Sequence, residues 1–468
     1  MLTKFQYPAE LIFKILFLIY GTISFCSFTY GSKPISYIMW ACFAFGGFSC
    51  ICRVLRFRDY IKTPGFIGSI LFLLSYFVST ALNRQYELKE NIVQLLLLGL
   101  FLCVLYLQDC SRTRESMLKE FKIVSIVYIA IIVACCVTGI ALMLANYGRV
   151  DYRGDDNYAV VRGFMWGRLF GVFLDPNRGS VMGVIAVSLL MYYASKSKKK
   201  LIKALCVILM LPEVLFIAFS DSRTGQVALC CSVLCGGVVF SLLSNKEKGK
   251  KKIAAALCLS VAVSAFAFVI PTVAKEGYNV IIQAVDEREN KDGKDNDDFK
   301  PQIERKYDLK SDPSNRRFSI WKSGVEIWKN ETKTMLFGVS FAGVRPYAYE
   351  KLPDTYIVNN TQTDFKQFHN EFITALVSQG VTGLITVLFF VISVVYFVLK
   401  SLGSVEQKDL TLIAVLVAAV VASSCSAMLQ LGMFYGFSQG EIIFWILLGY
   451  LVFFLKKSAD ASEKVLTK

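Results

Sequence analysis

Charged side chains and histidine are scarce in this 468-residue sequence. Asp, Glu, Lys and Arg together make up 19% of the residues, whereas hydrophobic residues make up 55%. Soluble globular domains carry about 25% charged residues, so the composition excludes a soluble protein of this length. The single histidine, His369, and the lack of Cys and His at metal-binding spacing argue against a zinc or haem site. We expect a polytopic membrane protein with no metal and no cofactor.

Twelve apolar runs are long enough to cross a bilayer, which takes about 17 to 25 residues. They lie near 11–30, 34–52, 65–82, 91–108, 121–145, 172–195, 201–219, 223–243, 253–271, 370–399, 410–431 and 441–455. The sequence therefore predicts an all-α membrane protein with about 12 transmembrane helices. No small-residue cleavage site follows the first run, so we expect it to stay as an anchor and not to act as a signal peptide.

Lysine and arginine predict the orientation, because short cytoplasmic loops are enriched in them. They cluster in alternate connections, at 53–62, 112–122, 196–203, 246–252, 400–408 and 456–457. These connections and both termini are predicted to be cytoplasmic. The net charge is +15 (51 − 36), and the basic residues next to the spans are expected to bind anionic lipid headgroups. Nucleic-acid binding is not expected, because no soluble domain is left to carry it.

The other connections are short and mixed in charge, except for one long loop. We divide the chain into membrane helices at 1–145, membrane helices with arginine-bearing outer ends at 146–271, the long extracytoplasmic loop at 272–368, membrane helices at 369–455 and a cytoplasmic tail at 456–468. None of the fourteen cysteines lies in an outer connection, so no disulfide framework is expected on the oxidising face.

Two features of the long loop invite a functional interpretation. Asp295, Asn296 and Asp297 form a D-x-D pattern, but the surrounding lysines and the predicted outer location favour a solvated stretch over a metal site. Phe318, Trp321, Val325 and Trp328 recur at helical spacing, which predicts an interfacial helix lying on the outer membrane surface.

Three spans are predicted to begin at the outer face with a capping residue. Asp175 precedes Pro176, one of Ser220, Asp221 and Ser222 can cap the eighth span, and Asn370 can cap the tenth. The positive ends of these three helices would point at the same surface, and if the spans are neighbours they form an anion site.

Arginines reinforce this prediction. A group of basic side chains lies at or near the predicted outer boundary: Arg168, Arg178, Arg223, Arg316, Arg317 and His369. An arginine fork binds two phosphate oxygens at once. We therefore predict a lipid diphosphate as ligand, with its tail in the bilayer.

Four blocks between about 160 and 395 resemble a known family: R-L-F-G-V-F-L-D-P-N, S-D-S-R-T-G, R-R-F-S-I-W followed by L-F-G-V-S, and H-N-E-F-I-T-A-L-V-S-Q-G-V-T-G-L. Their order and spacing are similar to those of the O-antigen ligase and polymerase superfamily. The resemblance implies a glycosyltransferase that takes a glycan from undecaprenyl diphosphate at the outer membrane face.

The resemblance also implies roles for individual residues. Arg223, Arg317 and His369 match the family's catalytic positions, and Arg168 matches a further arginine less securely, since Asp175 stands where the family often has Asn. We add a set of residues predicted to bind the diphosphate or the glycan: Arg168, Arg178, Arg316, Asn177, Asn370 and Trp321. Asp175 and Glu213 are predicted supports. Glu213, at membrane depth, is expected to pair with Arg223 or Arg168, although a structural role at the Pro212 kink stays open.

The favoured interpretation is a Wzy-type polymerase in the bacterial plasma membrane, using no metal. A ligase that moves a finished chain to another carrier is the alternative. A flippase for the same lipid-linked sugars is a weaker third reading, because the charges concentrate on one face and the chain shows no repeat. The predicted partners are the lipid-linked oligosaccharide, membrane lipids, and assembly proteins such as a flippase or chain-length regulator.

Overall fold

A computed structural model describes residues 2–153, 158–244, 249–291, 302–304, 316–360, 367–430 and 433–466. Asp295, Asn296 and Asp297 lie outside these residues. The described helices are α1 (Leu2–Ser24), α2 (Pro34–Leu55), α3 (Phe57–Tyr60), α4 (Phe66–Leu82), α5 (Leu88–Leu100), α6 (Arg114–Leu144), α7 (Pro176–Lys196), α8 (Lys200–Phe219), α9 (Arg223–Ser244), α10 (Gly249–Lys291), α11 (Arg317–Lys329), α12 (Thr332–Phe337), α13 (Val344–Lys351), α14 (Tyr356–Asn360), α15 (Glu371–Ser401), α16 (Leu410–Ala427) and α17 (Gln439–Leu466). A π-helix (Phe101–Tyr106) continues α5, and a 3-10 turn (Leu402–Ser404) ends α15.

The prediction of an all-α polytopic membrane protein is confirmed. Within the described residues, 11 helices are long and apolar enough to cross a membrane, and α4 is a shorter apolar helix. Each of the twelve predicted spans coincides with one of these twelve helices. The ninth span differs most, because α10 does not stop at 271 but continues through Pro271 to Lys291.

The most buried helices are α7, α16 and α17. In α17, 83% of the membrane-spanning window is buried, against 17% in α10. The spanning windows of α10 and α17 have mean hydropathies of 2.6 and 1.8, so hydropathy alone does not distinguish a helix in the centre of the bundle from one at its surface. Trp445 and Tyr450 of α17 are fully buried and anchor this core.

A cluster of buried charges joins α1, α2, α6 and α17. Glu120 lies 2.5 Å from both Lys14 and Arg112, and the Tyr450 hydroxyl donates to it at 2.9 Å. Arg53 binds both carboxylate oxygens of Glu10 at 2.8 Å. Arg53 and Arg112 were predicted to lie in basic loops, but both are buried in ion pairs. The opposite charge offsets the free-energy cost of burying each guanidinium.

A small sheet that the sequence reading missed fills the connection before α7. Strands β1 (Gly148–Arg153), β2 (Tyr158–Met165) and β3 (Arg168–Gly171) are antiparallel and pair in the order β1-β2-β3. Beyond it, the Ser27 amide donates to the Val172 carbonyl at 2.8 Å, which ties this connection to the end of α1. The sheet therefore fixes the approach of the chain to α7.

Helices α11 to α14 pack on one end of the bundle, which we call the loop end. The Asn83 side chain donates to the Gly338 carbonyl at 3.0 Å, Asn91 donates to the Ser340 hydroxyl at 3.0 Å, and the Val339 amide donates to Val377 at 3.0 Å. These bonds fasten the loop to the ends of α4, α5 and α15.

The predicted helix in the long loop is present as α11, but its buried face differs from the predicted stripe. Ser323, Gly324 and Ile327 are buried, whereas Phe318 is 68% exposed. A Cβ on Gly324 would lie 2.9 Å from the Phe368 ring, so α11 packs tightly on the start of α15. The predicted helix is present and its buried face packs against protein, while its contact with the outer membrane surface stays a prediction.

Candidate functional site

Three helix N-termini at the loop end have the capping residues that the sequence predicted. An Asp175 oxygen accepts from the Asn177 amide at 2.8 Å in α7, and the Ser222 hydroxyl accepts from the Gly225 amide at 3.0 Å in α9. Asn370 accepts from the Phe372 and Ile373 amides at 2.9 and 3.1 Å in α15. The caps leave other N-terminal amides of each helix pointing at this end, which favours a bound anion.

The starts of α7 and α9 touch directly. The Ser180 and Ser220 hydroxyls are 2.8 Å apart, and a Cβ on Gly225 would lie 2.6 Å from that of Ser180. Glycine at 225 therefore permits the close approach. The positive ends of these two helices add at one place because the helices approach closely there.

Arg168 of β3 forms hydrogen bonds to residues at the starts of both α7 and α9. Its Nε donates to the Ser220 carbonyl at 3.0 Å, and another nitrogen donates to Asn177 Oδ1 at 3.0 Å. The guanidinium also lies 5.4 Å from the centre of the Phe170 ring. Arg168 and Asn177 are thus held together beside the helix starts.

His369 stands in a turn that is fixed on both sides. The Phe368 side chain is fully buried, and its carbonyl accepts from Trp321 Nε1 at 2.9 Å. On the other side, Asn370 donates to the Met428 carbonyl at 3.1 Å. Between them His369 has a φ of 51°, a left-handed conformation that is uncommon outside glycine and often marks a functional constraint.

The charges around His369 come from three parts of the chain. Asp175 and Arg178 of the α7 start and Arg317 of the α11 start all act on it electrostatically. Burial of the imidazole lowers the pKa of His369 below its ordinary value; Asp175 opposes this shift, while Arg317 and Arg178 add to it. The histidine is therefore neutral at pH 7 and able to accept a proton.

Arg178 and Arg223 differ in their surroundings. Arg178 is largely buried, with one nitrogen 3.4 Å from Glu441 Oε1 and the guanidinium 5.7 Å from the Phe25 ring. Arg223 is exposed at the first turn of α9, and no hydrogen bond or ion pair joins it to the residues that the structure describes. Its guanidinium is available to a ligand.

The remaining predicted binding residues divide into two groups. Arg316 and Arg317 lie at the start of α11, and Arg316 is exposed with a φ of 64°. The side chains of the second group form hydrogen bonds within the protein: Asn177 with Arg168, Asn370 with the Met428 carbonyl, and Trp321 with the Phe368 carbonyl. Their predicted contact with substrate stays a prediction, and their observed role is to hold Arg168 and the His369 turn.

The expected pairing of Glu213 with Arg223 or Arg168 is wrong. Glu213 is fully buried, and its carboxylate oxygens make no hydrogen bond within the described part of the chain. It packs on Gly183 of α7, 3.4 Å from where a Cβ on that glycine would lie. Arg168 is instead held by Ser220 and Asn177, which lie at the loop end, while Glu213 lies deeper in α8.

Sequence reasoning missed three side chains that contact the site. Glu441 approaches Arg178, Gln430 donates to Asp175 Oδ2 at 3.1 Å, and Glu371 accepts from the Met433 amide at 2.8 Å. The only sequence signal was the run S-Q-G-E at 438–441, which has the form of a capping box. That motif predicts a helix start and says nothing about a contact with Arg178.

A comparison with known families found one match. Residues 205–388, from within α8 to within α15, match the family model described as O-Antigen ligase (Wzy_C). This match, over 184 of the 468 residues, supports the resemblance of the chain to the O-antigen ligase and polymerase superfamily. No curated protein sequence matched it.

The match supports membrane glycosyl transfer of the O-antigen ligase and polymerase type, and the family implies lipid-linked glycans as substrates. The matched region contains Arg223, Arg317 and His369. It does not contain Arg168, Asp175 or Arg178, nor α16 and α17. The structure therefore brings to His369 residues from both sides of the O-antigen ligase domain.

Proposed function

We propose that this protein is a polymerase that joins undecaprenyl-diphosphate-linked oligosaccharide repeat units into a surface polysaccharide of the capsule or O-antigen type. One observation carries the proposal: His369, within the residues that match the O-antigen ligase family, is held in a fixed turn at the loop end, where Arg178 and Arg317 act on it electrostatically. A neutral base beside a strongly positive surface suits transfer from a diphosphate leaving group to a hydroxyl.

The reaction divides the site into two parts. An acceptor hydroxyl oxygen attacks the anomeric carbon of the donor sugar, and His369 takes the hydroxyl proton. The bond between that carbon and the diphosphate oxygen breaks, so the leaving diphosphate gains negative charge. Arg223, Arg317 and the amides at the helix starts stabilise this charge, and Arg168, Arg178 and Arg316 bind the diphosphate or the glycan.

The lipid tail determines where the reaction takes place. A polyprenyl chain stays in the bilayer while its diphosphate reaches the loop end at the membrane surface. We propose that the loop end faces the outside of the bacterial plasma membrane and that both termini are cytoplasmic, in agreement with the distribution of lysine and arginine. A flippase and a chain-length regulator are the proposed protein partners.

The glycolipid that accumulates without this protein distinguishes a polymerase from a ligase. Cells lacking a polymerase should accumulate single lipid-linked repeat units, because each unit is made but not extended. Gel electrophoresis and mass spectrometry of the extracted glycolipids measure this directly, with a complemented strain as control. Full-length lipid-linked chains would identify the protein as a ligase.

The proposed reaction uses no metal, since arginines and helix ends supply the positive charge. Transfer in isolated membranes should therefore proceed at an unchanged rate in excess EDTA. The control is a metal-dependent glycosyltransferase in the same buffer, which must lose activity. A rate that collapses in EDTA and returns with Mg²⁺ or Mn²⁺ would contradict the proposal and direct attention to Asp295 and Asp297.

A further inference from the structure

Two buried side chains beyond the matched domain reach the charges that face His369. Glu441, in the first turn of α17, is 1% exposed and lies 3.4 Å from Arg178. Gln430, just after α16, is 4% exposed and donates to Asp175 at 3.1 Å. Both lie outside residues 205–388, so the family match assigns them no role.

The helix cap accounts for only one of the two carboxylate oxygens of Glu441. Its Oε2 accepts from the Ser438 amide at 2.8 Å and from the Ser438 hydroxyl, as a capping-box glutamate does. Its Oε1 is buried, makes no hydrogen bond within the described residues, and packs so closely on Gly436 that a Cβ there would lie 1.9 Å away. A buried carboxylate oxygen is costly unless an opposite charge is near, and Arg178 supplies it.

The geometry of this pair leaves Arg178 able to bind a ligand. Charge-assisted N–H···O bonds measure about 2.7 to 2.9 Å, so 3.4 Å is a loose ion pair and not a full bidentate one. A guanidinium has five N–H donors. Glu441 therefore holds the guanidinium in place without using up its donors.

The surroundings of the pair suit a polar ligand. Ser423, Ser426 and Ser438 line a small cavity together with Arg178 and Glu441. Arg178 follows Asp175 by three residues in the first turn of α7, so a shift of its guanidinium changes the field at His369. The orientation of Arg178 thus matters to both binding and chemistry.

We propose that Glu441 is a positioning residue for glycosyl transfer, which holds the guanidinium of Arg178 at the start of α7 from a helix outside the matched residues 205–388. The inference rests on the proposed function, because it assumes that Arg178 binds the diphosphate or the glycan. It assigns to α17 a part in the site in addition to its place in the core.

Four variants test this inference: Glu441→Gln, Arg178→Ala, the double variant, and His369→Ala as the inactive reference. Glutamine keeps an oxygen for the Ser438 cap and removes the charge. Each protein is purified in detergent, its folded amount is measured by size-exclusion chromatography, and transfer is assayed with lipid-linked repeat units extracted from cells lacking the protein.

We expect Glu441→Gln to lower kcat/KM about tenfold through a higher KM, and to have no further effect when Arg178 is already alanine. Asp409→Asn is the matched control, since it breaks the buried pair between Asp409 and Arg114 at the opposite end of the bundle and should retain wild-type kinetics. A merely structural role of Glu441 would lower the folded amount and leave KM unchanged.

The outcomes separate the inference from the proposed function. Wild-type kinetics in Glu441→Gln, or an equal loss with and without Arg178, would overturn the positioning role while His369→Ala stays inactive. A wild-type protein that cannot extend the extracted units would overturn the proposed function and the inference with it.

Discussion

Replacing His369 should lower the rate of glycosyl transfer by about two to four powers of ten, the usual contribution of a positioned general base. Asparagine is the sharper substitution, because His369 has a φ of 51° and asparagine tolerates left-handed backbone better than alanine does. We expect both His369→Asn and His369→Ala to abolish long polysaccharide while single lipid-linked units remain. Polysaccharide length on gels and the rate of unit consumption measure the loss.

The control for backbone strain is Glu87→Ala. Glu87 has a φ of 47° at the start of α5 and is not part of the site, so this variant should retain normal polymer length. Normal polymer length in His369→Asn would exclude a catalytic role for the histidine.

The pH dependence follows from the lowered pKa of His369. Burial and the neighbouring arginines disfavour the protonated imidazole, so the neutral base persists to lower pH than in a free histidine. The midpoint of the fall in rate at low pH should therefore lie below about 6.5, the unperturbed value. A rate that already falls with its midpoint above that value would contradict the observed surroundings of the histidine.

Arg223→Lys should lose nearly as much activity as Arg223→Ala, about a hundred- to a thousandfold. Arg223 is exposed, and no described residue engages its guanidinium, so its donors are available to the leaving diphosphate. Lysine keeps the charge but cannot bind two oxygens in a planar fork. Initial rates on lipid-linked units, corrected for the amount of folded protein, measure the loss.

Arg149→Lys is the matched control, since Arg149 lies in β1, has a side chain that is 64% exposed, and pairs with Asp151 at 2.7 Å. It should transfer at the wild-type rate. If Arg223→Lys also keeps the full rate, a single positive charge is sufficient at this position and bidentate binding is not the reason for arginine.

The membrane spans and the helix starts could be predicted because they depend on local sequence. Apolar runs of sufficient length form helices in a bilayer, where every backbone amide must be paired within its own segment. The caps at Asp175 and Asn370 follow from residues only one to three positions away. The convergence of α7, α9 and α15 could be stated only as a condition, because no local pattern determines which spans are neighbours.

Other features escaped sequence reasoning for equally physical reasons. The continuation of α10 to Lys291 and the sheet before α7 lie in polar segments, where hydropathy carries little signal. Glu213 was expected to find an arginine because a buried carboxylate usually has a partner, yet it lies deeper in the bundle than the arginines do. The depth of a residue along its helix can be counted from the sequence, but the residue that it pairs with cannot be predicted from it.

The sequence by itself determined an all-α membrane protein and supported membrane glycosyl transfer of the O-antigen ligase and polymerase type. It also indicated His369, Arg223 and Arg317 as candidate catalytic residues. Composition, helix caps and ordered motifs are properties of the sequence, and they can be recognised without knowledge of the packing. Only the tertiary structure decided that Asp175 and Arg178 face His369 and that Gln430 and Glu441 hold them. The latter pairs are separated by 255 (430 − 175) and 263 (441 − 178) residues in the chain, so only the packing of α7 against α16 and α17 brings them together.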